Sequence, residues 1–474
     1  MSETYELKRR GGRAFWFATA AGLLLANAGA HASVTTCGVD ILSIEQARAS
    51  IAFVRSQVHD AHYRSLANGA DPAVEQLGRL AKSLNTRLTS AELARQVNTA
   101  LAADNDGHLR LELSPASEAG CLTLPISLDW TDDGLLVLPG GDLPPGARIG
   151  SIGGRSLDEL EALAAQSIPH ENLYWARSTF AHQMVRADML AAFGLSDRSG
   201  EVEVIYETPQ GGEAHIRLKP TKPIAPTRPW VGYEIFADTS TGVFWLERCD
   251  PTEEFFNALA AFMREVKRQG IHKVAIDLRG NPGGDASVAL AVLGSLGLNV
   301  DQGFSVEVRV SKQLLHEMPM FDPSAVAPAF QAAGLTPPAA NAQQYRVPGP
   351  MVLGLLAQRL GDHPLEVVPG RALYVLTDGG TFSSAALFAG LVRDNHLGTL
   401  VGEPTGNSVT FNGSEVEIPV PDLGYSLHLS TARLLRPDRG AGPAPTLLPD
   451  LRAPQTAAAL GAGRDAGIER IREL

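Results

Sequence analysis

The sequence predicts a mixed α/β protein built from several domains. Between residues 40 and 103, apolar residues recur at three- and four-residue spacing, which is typical of amphipathic helices. Residues 121–219 contain short apolar runs separated by glycine-rich turns, which predict strands. From Trp230 onwards, strands alternate with helices. This alternation indicates βαβ crossovers and a mostly parallel sheet.

Composition and charge exclude some classes of function. The 474 residues are 44% hydrophobic and 19% charged, so most of the chain should fold around apolar cores. Lysine and arginine number 40 against 52 acidic residues, which gives a net charge of −12. Because this balance is acidic and no basic stripe reverses it, the sequence argues against a nucleic-acid-binding protein.

The N-terminus predicts an export signal over residues 1–32. Four basic residues precede an apolar stretch from Ala14 to Ala28, and Ala30-His31-Ala32 forms a cleavage site. The mature chain is expected in the periplasm or outside the cell, with no stable membrane span after cleavage. An uncleaved anchor is the weaker alternative, because the apolar stretch is short for a bilayer.

Three cysteines remain after the signal: Cys37, Cys121 and Cys249. In an oxidising compartment one pair could form a disulfide. We expect Cys37 to pair with Cys121, which would tie the first mature segment to the next domain, although sequence alone leaves the pairing open. No cysteine spacing resembles a zinc site.

The elements of the first two domains follow in order. Residues 33–120 are expected to form a helical domain, and residues 121–222 a smaller β-rich domain. The predicted helices of the first are Ile44–His59, Ala73–Leu84 and Ser90–Leu101, followed by a turn and a strand at 104–113. The second has predicted strands Leu135–Leu138 and Arg148–Ile152, a helix Leu157–Gln166, and a hairpin of Val202–Tyr206 with Ala214–Leu218.

The third domain is expected at residues 228–458. Its first helix should be capped by Asp250, with Pro251 at the first position and Glu253 completing a capping box. Its predicted strands are Val243–Glu247, Lys273–Leu278, Ala372–Leu376 and Gly398–Val401. Residues 310–365 show no clear period and are interpreted as an insertion, with a flap over the site as one role. Residues 459–474 are expected to form a C-terminal tail.

One turn of this domain places a hydroxyl where a strand ends and a helix begins. The segment is Thr377-Asp-Gly-Gly-Thr-Phe-Ser-Ser-Ala-Ala386. Backbone N–H groups are unpaired at such a position, and the helix dipole favours developing negative charge. Ser383 is therefore a candidate nucleophile. The alternative is that Ser383 or Ser384 only caps the helix.

A second turn, Arg279-Gly-Asn-Pro-Gly-Gly284, should lie at the same end of the sheet. Its Gly-Gly pair permits positive φ and close approach of the backbone. The amide of Gly283 or Gly284, together with that of Ser384, could form a two-donor oxyanion hole. A plain tight turn or a phosphate cradle is the alternative, but neither turn matches a P-loop, and an α/β-hydrolase elbow is absent.

Three ordered motifs carry a family resemblance. They are Lys273-Val-Ala-Ile-Asp-Leu-Arg-Gly-Asn-Pro-Gly-Gly284, Gly380-Thr-Phe-Ser-Ser-Ala-Ala386 and Val401-Gly-Glu-Pro-Thr-Gly406. The sequence resembles the C-terminal processing, or tail-specific, protease family, of which the tricorn core protease is a more distant member. The resemblance covers most of residues 100–458. It implies a catalytic core with a ββα spiral, related to crotonase and ClpP, a degenerate PDZ-like domain at 121–222, and a polypeptide substrate. It implies no cofactor or metal.

The resemblance also suggests the general base. Relatives of the Ser–Lys type have a lysine downstream of the serine, where this chain has Thr405-Gly-Asn-Ser408 and no lysine. The tricorn-like branch uses a histidine, and His108 in Asp106-Gly-His-Leu109 matches its pattern. A neutral imidazole near pH 7 can accept the serine proton and return it to the leaving amine.

A third group should orient His108. The candidates are Glu403, Asn412, Glu415 and Asp106. The tricorn-type glutamate should precede Pro449-Asp450, but Ala444-Pro-Thr-Leu447 offers none.

The predicted function is therefore an exported serine endopeptidase that uses Ser383 and His108. The alternatives are a catalytically inactive peptide- or lipophile-binding protein on the same fold, since the family includes retinoid-binding relatives, and a crotonase-like acyl-CoA enzyme. The sequence leaves open whether copies associate into a homo-oligomer.

Overall fold

The computed structural model describes residues 37–68, 71–361, 363–437 and 444–474. The signal peptide predicted at 1–32 lies outside this range, so its presence and cleavage stay predictions. Within the described ranges, no helix is long and apolar enough to cross a membrane.

The N-terminal region is helical, as predicted. Its helices are Ile44–Ala61, Tyr63–Asn68, Pro72–Ser83 and Ser90–Leu101, and a short ladder joins Ile41–Leu42 to Leu88–Thr89. Ser43 and Thr89 cap two of these helices through complete capping boxes with Gln46 and Glu92. A 3₁₀ turn at Ala102–Asp104, a strand at Arg110–Leu113 and a short helix at Pro115–Glu118 complete the region. The expected disulfide is present: Cys37 is bonded to Cys121.

Residues 121–222 form an antiparallel sheet with three helices. The strands are Ser127–Thr131, Gly134–Leu138, Arg148–Ile152, Arg155–Ser156, Val202–Glu207 and Glu213–Leu218, and the helices are Leu157–Ser167, Leu173–Gln183 and Ala187–Ala192. The predicted hairpin is confirmed, with Val202 opposite Leu218 and Glu207 opposite Glu213. The helix at Leu173–Gln183 was not predicted. It positions residues of this region against the catalytic core.

The core contains the predicted parallel sheet. Its strand order is Val231–Phe236, Thr241–Leu246, Lys273–Asp277, Ala372–Thr377, Thr399–Gly402, Leu451–Arg452. The first pair is antiparallel and the remaining pairs are parallel. The helices Glu253–Gln269, Ser287–Ser295 and Ser383–Asp394 connect these strands. Because the strands are parallel, both predicted turns emerge at the same edge of the sheet.

The first core helix begins later than predicted. Thr252, and not Asp250, is the N-cap, and its side chain accepts a hydrogen bond from the N–H of Phe255. Pro251 therefore precedes the cap and is not the first helical residue. The helix ends as predicted at Gly270, which adopts the left-handed conformation.

A second, antiparallel sheet lies beside the first and connects the N-terminal region to the core. Its strands are Gln344–Val347, Ser305–Arg309, Tyr425–Leu435 and Phe411–Pro419, and Arg110–Leu113 pairs with Tyr425–Leu435. This pairing fixes the turn at Asp106–Leu109, which immediately precedes the strand. Because of this pairing, His108 lies at the edge of the core although it belongs to the N-terminal region.

Two segments without predicted elements are in fact structured. Residues 310–365 contain the helices Lys312–Glu317, Pro323–Ala332 and Gly349–Arg359, with a 3₁₀ turn at Pro319–Phe321. The tail contains the helices Ala457–Gly461 and Ala466–Glu473. The tail packs on the parallel sheet, since Ile471 is fully buried and Lys273 Nζ donates to its carbonyl at 3.0 Å.

Candidate active site

The Ser383 turn has the geometry of a nucleophile rather than of a simple cap. Ser383 has φ +50°, in the left-handed region that a residue with a Cβ rarely adopts. It is the first residue of the helix Ser383–Asp394, and the N-cap position is held by Phe382, which makes no side-chain capping hydrogen bond. The backbone N–H of Ser383 donates to the side-chain oxygen of Asn407, which is fully buried. Backbone strain of this kind tends to be retained at functional sites.

The two turns at the sheet edge are held together directly. Thr381 Oγ1 donates to the carbonyl of Leu278 at 2.9 Å, and the N–H of Phe382 donates to the carbonyl of Asn281 at 2.9 Å. A Cβ on Gly283, whose φ is +107°, would lie 2.6 Å from the Cβ of Ser383. Glycine is therefore required at Gly283 for the loop to approach the serine.

Two amides at the turns are placed to stabilise an oxyanion. The N–H of Gly283 donates to Asn281 Oδ1 at 2.8 Å, so it is occupied. Gly283 thus shapes the loop, and Gly284 is the better donor of the predicted pair. The second donor is the N–H of Ser384, in the first helical turn, where amides have no intrahelical acceptor. Ser384 Oγ donates to the carbonyl of Gly284 at 2.6 Å, which keeps the two amides together.

The structure brings His108 into the same cavity as Ser383. The cavity has a volume of about 500 Å³, and both residues line it. The ring of His108 stacks on that of Phe382, with centroids 4.4 Å apart, and is 3% exposed. Neither ring nitrogen makes a hydrogen bond to any described residue, including Ser383. Burial lowers the pKa of His108 to about 4, so the imidazole is neutral near pH 7 and can accept a proton.

Asp106 fixes the turn that carries His108. Its Oδ1 accepts the backbone N–H of His108 at 2.9 Å and lies 3.9 Å from His108 Nδ1. Its Oδ2 lies 3.0 Å from His62 Nε2. Burial by itself would lower the pKa of His62, but hydrogen bonds to Asp106 and Asp71 outweigh burial and raise it to about 9. His62 is therefore a cation at neutral pH and keeps Asp106 ionised.

The other three predicted orienting residues make no hydrogen bond to the imidazole. Asn412 Nδ2 donates to Asp106 Oδ2 at 3.1 Å, so it supports Asp106 instead. Glu415 lines the cavity but is bound by Arg110 and by His428.

Glu403 does not line the cavity that contains His108, so it does not orient the imidazole as predicted. Its Oε1 accepts the N–H of Asp132 at 2.8 Å, and its side chain lines a separate cavity that contains Asp378 and Arg279 but not Ser383. The Gly-Glu-Pro-Thr turn follows the neighbouring strand, but its glutamate does not line the cavity that contains His108.

Sequence reasoning missed two residues of the site. Asn407 lies in the stretch where relatives have lysine, and the missing lysine was the signal that could have drawn attention to it. Glu171 comes from the region 121–222, and its buried carboxylate lies beside His108 and Asp106. Burial raises the pKa of Glu171 well above its usual value, and the charge of Asp106 raises it further. No local pattern in the sequence marks Glu171.

The cavity itself is mainly apolar. Residues from the core, from the antiparallel sheet and from the segment 310–365 line it beside Ser383. The apolar members are Phe304, Val306, Met318, Phe321, Val352, Leu356, Leu387, Phe411 and Leu434. The predicted insertion therefore contributes part of the wall of the site.

Comparison with known proteins agrees with this geometry. Residues 250–453 match the model of peptidase family S41. No curated protein sequence matches the chain. The structure of mature CPAF is similar, with a TM-score of 0.59, 14% sequence identity, and coverage of 91% of this chain and 96% of CPAF.

Two further structures are similar at lower scores. The photosystem II D1 C-terminal processing protease has 16% identity, covers 90% of this chain and 96% of its own, and has a TM-score of 0.44. The tricorn protease has 11% identity, covers 91% of this chain and 36% of its own, and has a TM-score of 0.39. The segment 250–453 therefore matches peptidase family S41, a family of serine-type peptidases, and the chain as a whole shares the fold of CPAF.

Proposed function

We propose that the chain is an exported endopeptidase in which Ser383 attacks the peptide carbonyl and His108 acts as general base. The observation that carries this proposal is the left-handed Ser383 at a strand-to-helix turn, in one cavity with a buried, unpaired imidazole. A hydroxyl at this position is exposed to substrate, while the following amides face the developing negative charge.

The reaction proceeds through an acyl-enzyme. As Ser383 Oγ bonds to the carbonyl carbon, its proton passes to His108, and the carbonyl oxygen becomes an oxyanion held by the amides of Gly284 and Ser384. The intermediate then collapses, His108 returns the proton to the leaving amine, and the peptide bond breaks. Water, activated by the same imidazole, releases the acyl group and restores the Ser383 hydroxyl.

Ser383 and His108 are not hydrogen-bonded in the position that proton transfer requires. Ser383 and His108 share the cavity without a hydrogen bond between them. Hydrogen bonds between catalytic groups are often long before substrate binds and tighten in the complex. We therefore expect a bound peptide, filling the cavity, to bring the hydroxyl and imidazole together.

The lining of the cavity favours an apolar side chain next to the scissile bond. Its walls beside Ser383 are mainly aliphatic and aromatic, and several come from the segment 310–365. Burial of an apolar side chain there is favourable by about 1.5–3 kcal/mol. An unfolded polypeptide, in which such side chains are accessible, is the expected substrate.

Export is supported by two independent features. The first 32 residues have the basic, apolar and small-residue pattern of a cleaved signal. The disulfide between Cys37 and Cys121 is of the kind that persists in oxidising compartments. The proposed location is therefore the periplasm or the exterior of the cell.

Hydrolysis of an unfolded protein tests the proposed activity. Purified wild-type protein should degrade reduced, unfolded casein, and Ser383→Ala and His108→Ala should each reduce the rate by at least about 100-fold. Ser324→Ala is the matched control, because Ser324 is exposed and is not among the residues that line the cavity. Equal activity of wild type and Ser383→Ala would overturn the proposal. If folded wild-type protein bound the unfolded casein without hydrolysing it, the result would instead favour an inactive binding protein.

A further inference from the structure

Glu171 and His108 are two buried side chains that lie close together, with the backbone of Gly107 as the other neighbour of the Glu171 carboxylate. One side-chain atom from each of Asp106, His108 and Glu171 lies within 4.8 Å of the other two. Neither oxygen of Glu171 and neither nitrogen of His108 has a hydrogen-bond partner among the described residues. Buried polar groups are usually hydrogen-bonded, so a pair left unsatisfied at one place calls for an explanation. A carboxyl and an imidazole can satisfy each other.

The loop that carries Glu171 is anchored to the catalytic core. The next residue, Asn172, donates through Nδ2 to the carbonyls of Thr405 at 3.3 Å and Pro445 at 2.9 Å. Trp175 stacks on Phe382 with centroids 3.8 Å apart, and the ring of His108 stacks on that of Phe382 as well. The position of the Glu171 loop is therefore tied to the turn that carries the nucleophile.

Asp106 is already occupied by other donors and cannot serve His108 in the same way. It accepts hydrogen bonds from His62, Asn412, Ser430 and the backbone of His108. Its distance to His108 Nδ1, 3.9 Å, is too long for a hydrogen bond. Asp106 thus holds the turn, and the imidazole itself lacks an orienting group.

A divalent cation is a less suitable explanation for the same three side chains. Asp106 is paired with His62, which is cationic at neutral pH and lies 3.0 Å away. Arg110 adds a second positive charge near His108. A metal ion would have to displace bonds to Asp106 and to approach both of these charges.

We propose that Glu171 is a positioning residue that orients His108 and stabilises its protonated form. This inference rests on the proposed function and supplies the acid that is missing before Pro449. It also gives the region 121–222 a part in the reaction, since that region contributes Glu171. The sheet and helices of this region would then complete the active site.

The protonation states of Glu171 and His108 are linked during the reaction. Burial raises the pKa of Glu171 and lowers that of His108 to about 4, so between these two pKa values the pair retains one proton. The form that can act as a base has lost this proton and consists of a carboxylate and a neutral imidazole. When the Ser383 proton reaches His108, the imidazolium lies beside the carboxylate. The proton then leaves with the amine, and the pair returns to its starting state.

The pH profile is therefore the first readout. The measured quantity is the rate of labelling of Ser383 by a fluorescent fluorophosphonate. Glu171→Gln should lower this rate by at least about tenfold at its maximum. It should also shift the acidic limb of the pH profile to lower pH, because a glutamine side chain, unlike Glu171, does not take up a proton in this range. The other charged groups facing the pair are Asp106, Arg110, Glu415 and His428, and all are unchanged in this variant.

Matched variants separate positioning from a merely structural role. Glu203→Gln alters an exposed glutamate in the same region and should label at the wild-type rate. Glu171→Asp keeps the carboxyl but shortens the side chain, and it should label at an intermediate rate. In a His108→Ala background, Glu171→Gln should cause no further loss, because the two residues act as a unit. If Glu171→Gln reduced the labelling rate in that background by the same factor as in wild-type protein, the proposal would be contradicted.

NMR titration of His108 gives a readout that does not depend on activity. The His108 signal is identified by its absence in His108→Ala. In wild-type protein this signal should report a second titration step, the deprotonation of Glu171, at higher pH than that of the imidazole itself. Glu171→Gln should abolish this second step, and identical titration curves in the two proteins would overturn the proposal. If wild-type protein is not labelled at all, the proposed function fails while the titration still decides the role of Glu171. If wild type is labelled and Glu171→Gln matches it in rate and pH profile, only the role of Glu171 fails.

Discussion

Replacement of Asn407 by alanine should slow the reaction of Ser383 although the hydroxyl group itself is unchanged. Asn407 is fully buried, and its side-chain oxygen accepts the backbone N–H of Ser383. That serine has φ +50°, a conformation that costs a residue with a Cβ about 1–2 kcal/mol. The hydrogen bond is therefore one of the interactions that keep Ser383 in its reactive conformation.

The expected magnitude follows from the loss of this acceptor. A buried N–H left without a partner costs about 1–3 kcal/mol. If the turn relaxes to avoid that cost, the reactive conformation becomes less populated by the same free energy. At about 1.36 kcal/mol per factor of ten, labelling by a fluorophosphonate should slow by about 5- to 150-fold.

The assay compares labelling rates and unfolding in urea for the two proteins. Asn407→Ala should remain folded, with its free energy of unfolding reduced by about 1–3 kcal/mol. Asn257→Ala is the control, because Asn257 is exposed on the helix Glu253–Gln269. If folded Asn407→Ala labels as fast as wild type, the reasoning that this contact holds the serine is refuted.

Three further predictions concern stability and specificity. Cys121→Ser removes the disulfide to Cys37, which joins positions 84 residues apart. It should lower the free energy of unfolding, measured in urea, by about 4 kcal/mol, and a loss below about 1 kcal/mol would contradict this. Leu356→Asp places a charge in the apolar wall of the cavity that contains Ser383. The KM for peptides with an apolar side chain at the scissile bond should therefore rise. An unchanged KM would argue against binding of that side chain at this wall. Because the folded-state pKa of His62 is raised from 6.5 to about 9, its contribution to stability is complete below about pH 6.5 and is lost as the pH rises through about 9. Unfolding measured from pH 6 to 10 should show this decline in wild type and a flatter profile in His62→Gln.

Sequence alone predicted those features that local patterns determine. The helices at the N-terminus, the parallel strands and both glycine-rich turns follow from periodicity and from turn residues, and the structure confirms them. The start of the helix after Pro251 was wrong by a few residues because Asp250 and Thr252 can both cap, and only the backbone conformation decides between them.

The helices of the segment 310–365 were missed for a different reason. The helix Pro323–Ala332 contains an internal proline at Pro328, and alanine supplies much of its surface. Neither feature produces a distinct apolar face, so the period that indicates a helix is weak.

The active site was predictable in part. Ser383, Ser384 and the glycine loop lie in contiguous motifs at strand ends, where the fold class itself places a site. His108 required the family resemblance, since its turn reaches the core only through pairing of Arg110–Leu113 with Tyr425–Leu435. Glu171 could not be found in this way, because its proximity to His108 depends on how two separate regions pack. The predicted role of Glu403 failed because a turn motif does not determine which cavity a side chain enters.

The most direct test of the central claim is to locate the covalent adduct that a fluorophosphonate leaves on the protein. The wild-type chain should be treated with the reagent, digested, and its modified peptide sequenced by mass spectrometry. We expect a single adduct on Ser383, and its formation should be lost in Ser383→Ala and strongly slowed in His108→Ala. An adduct on any other residue, or labelling that persists in Ser383→Ala, would contradict the assignment of Ser383 as the nucleophile.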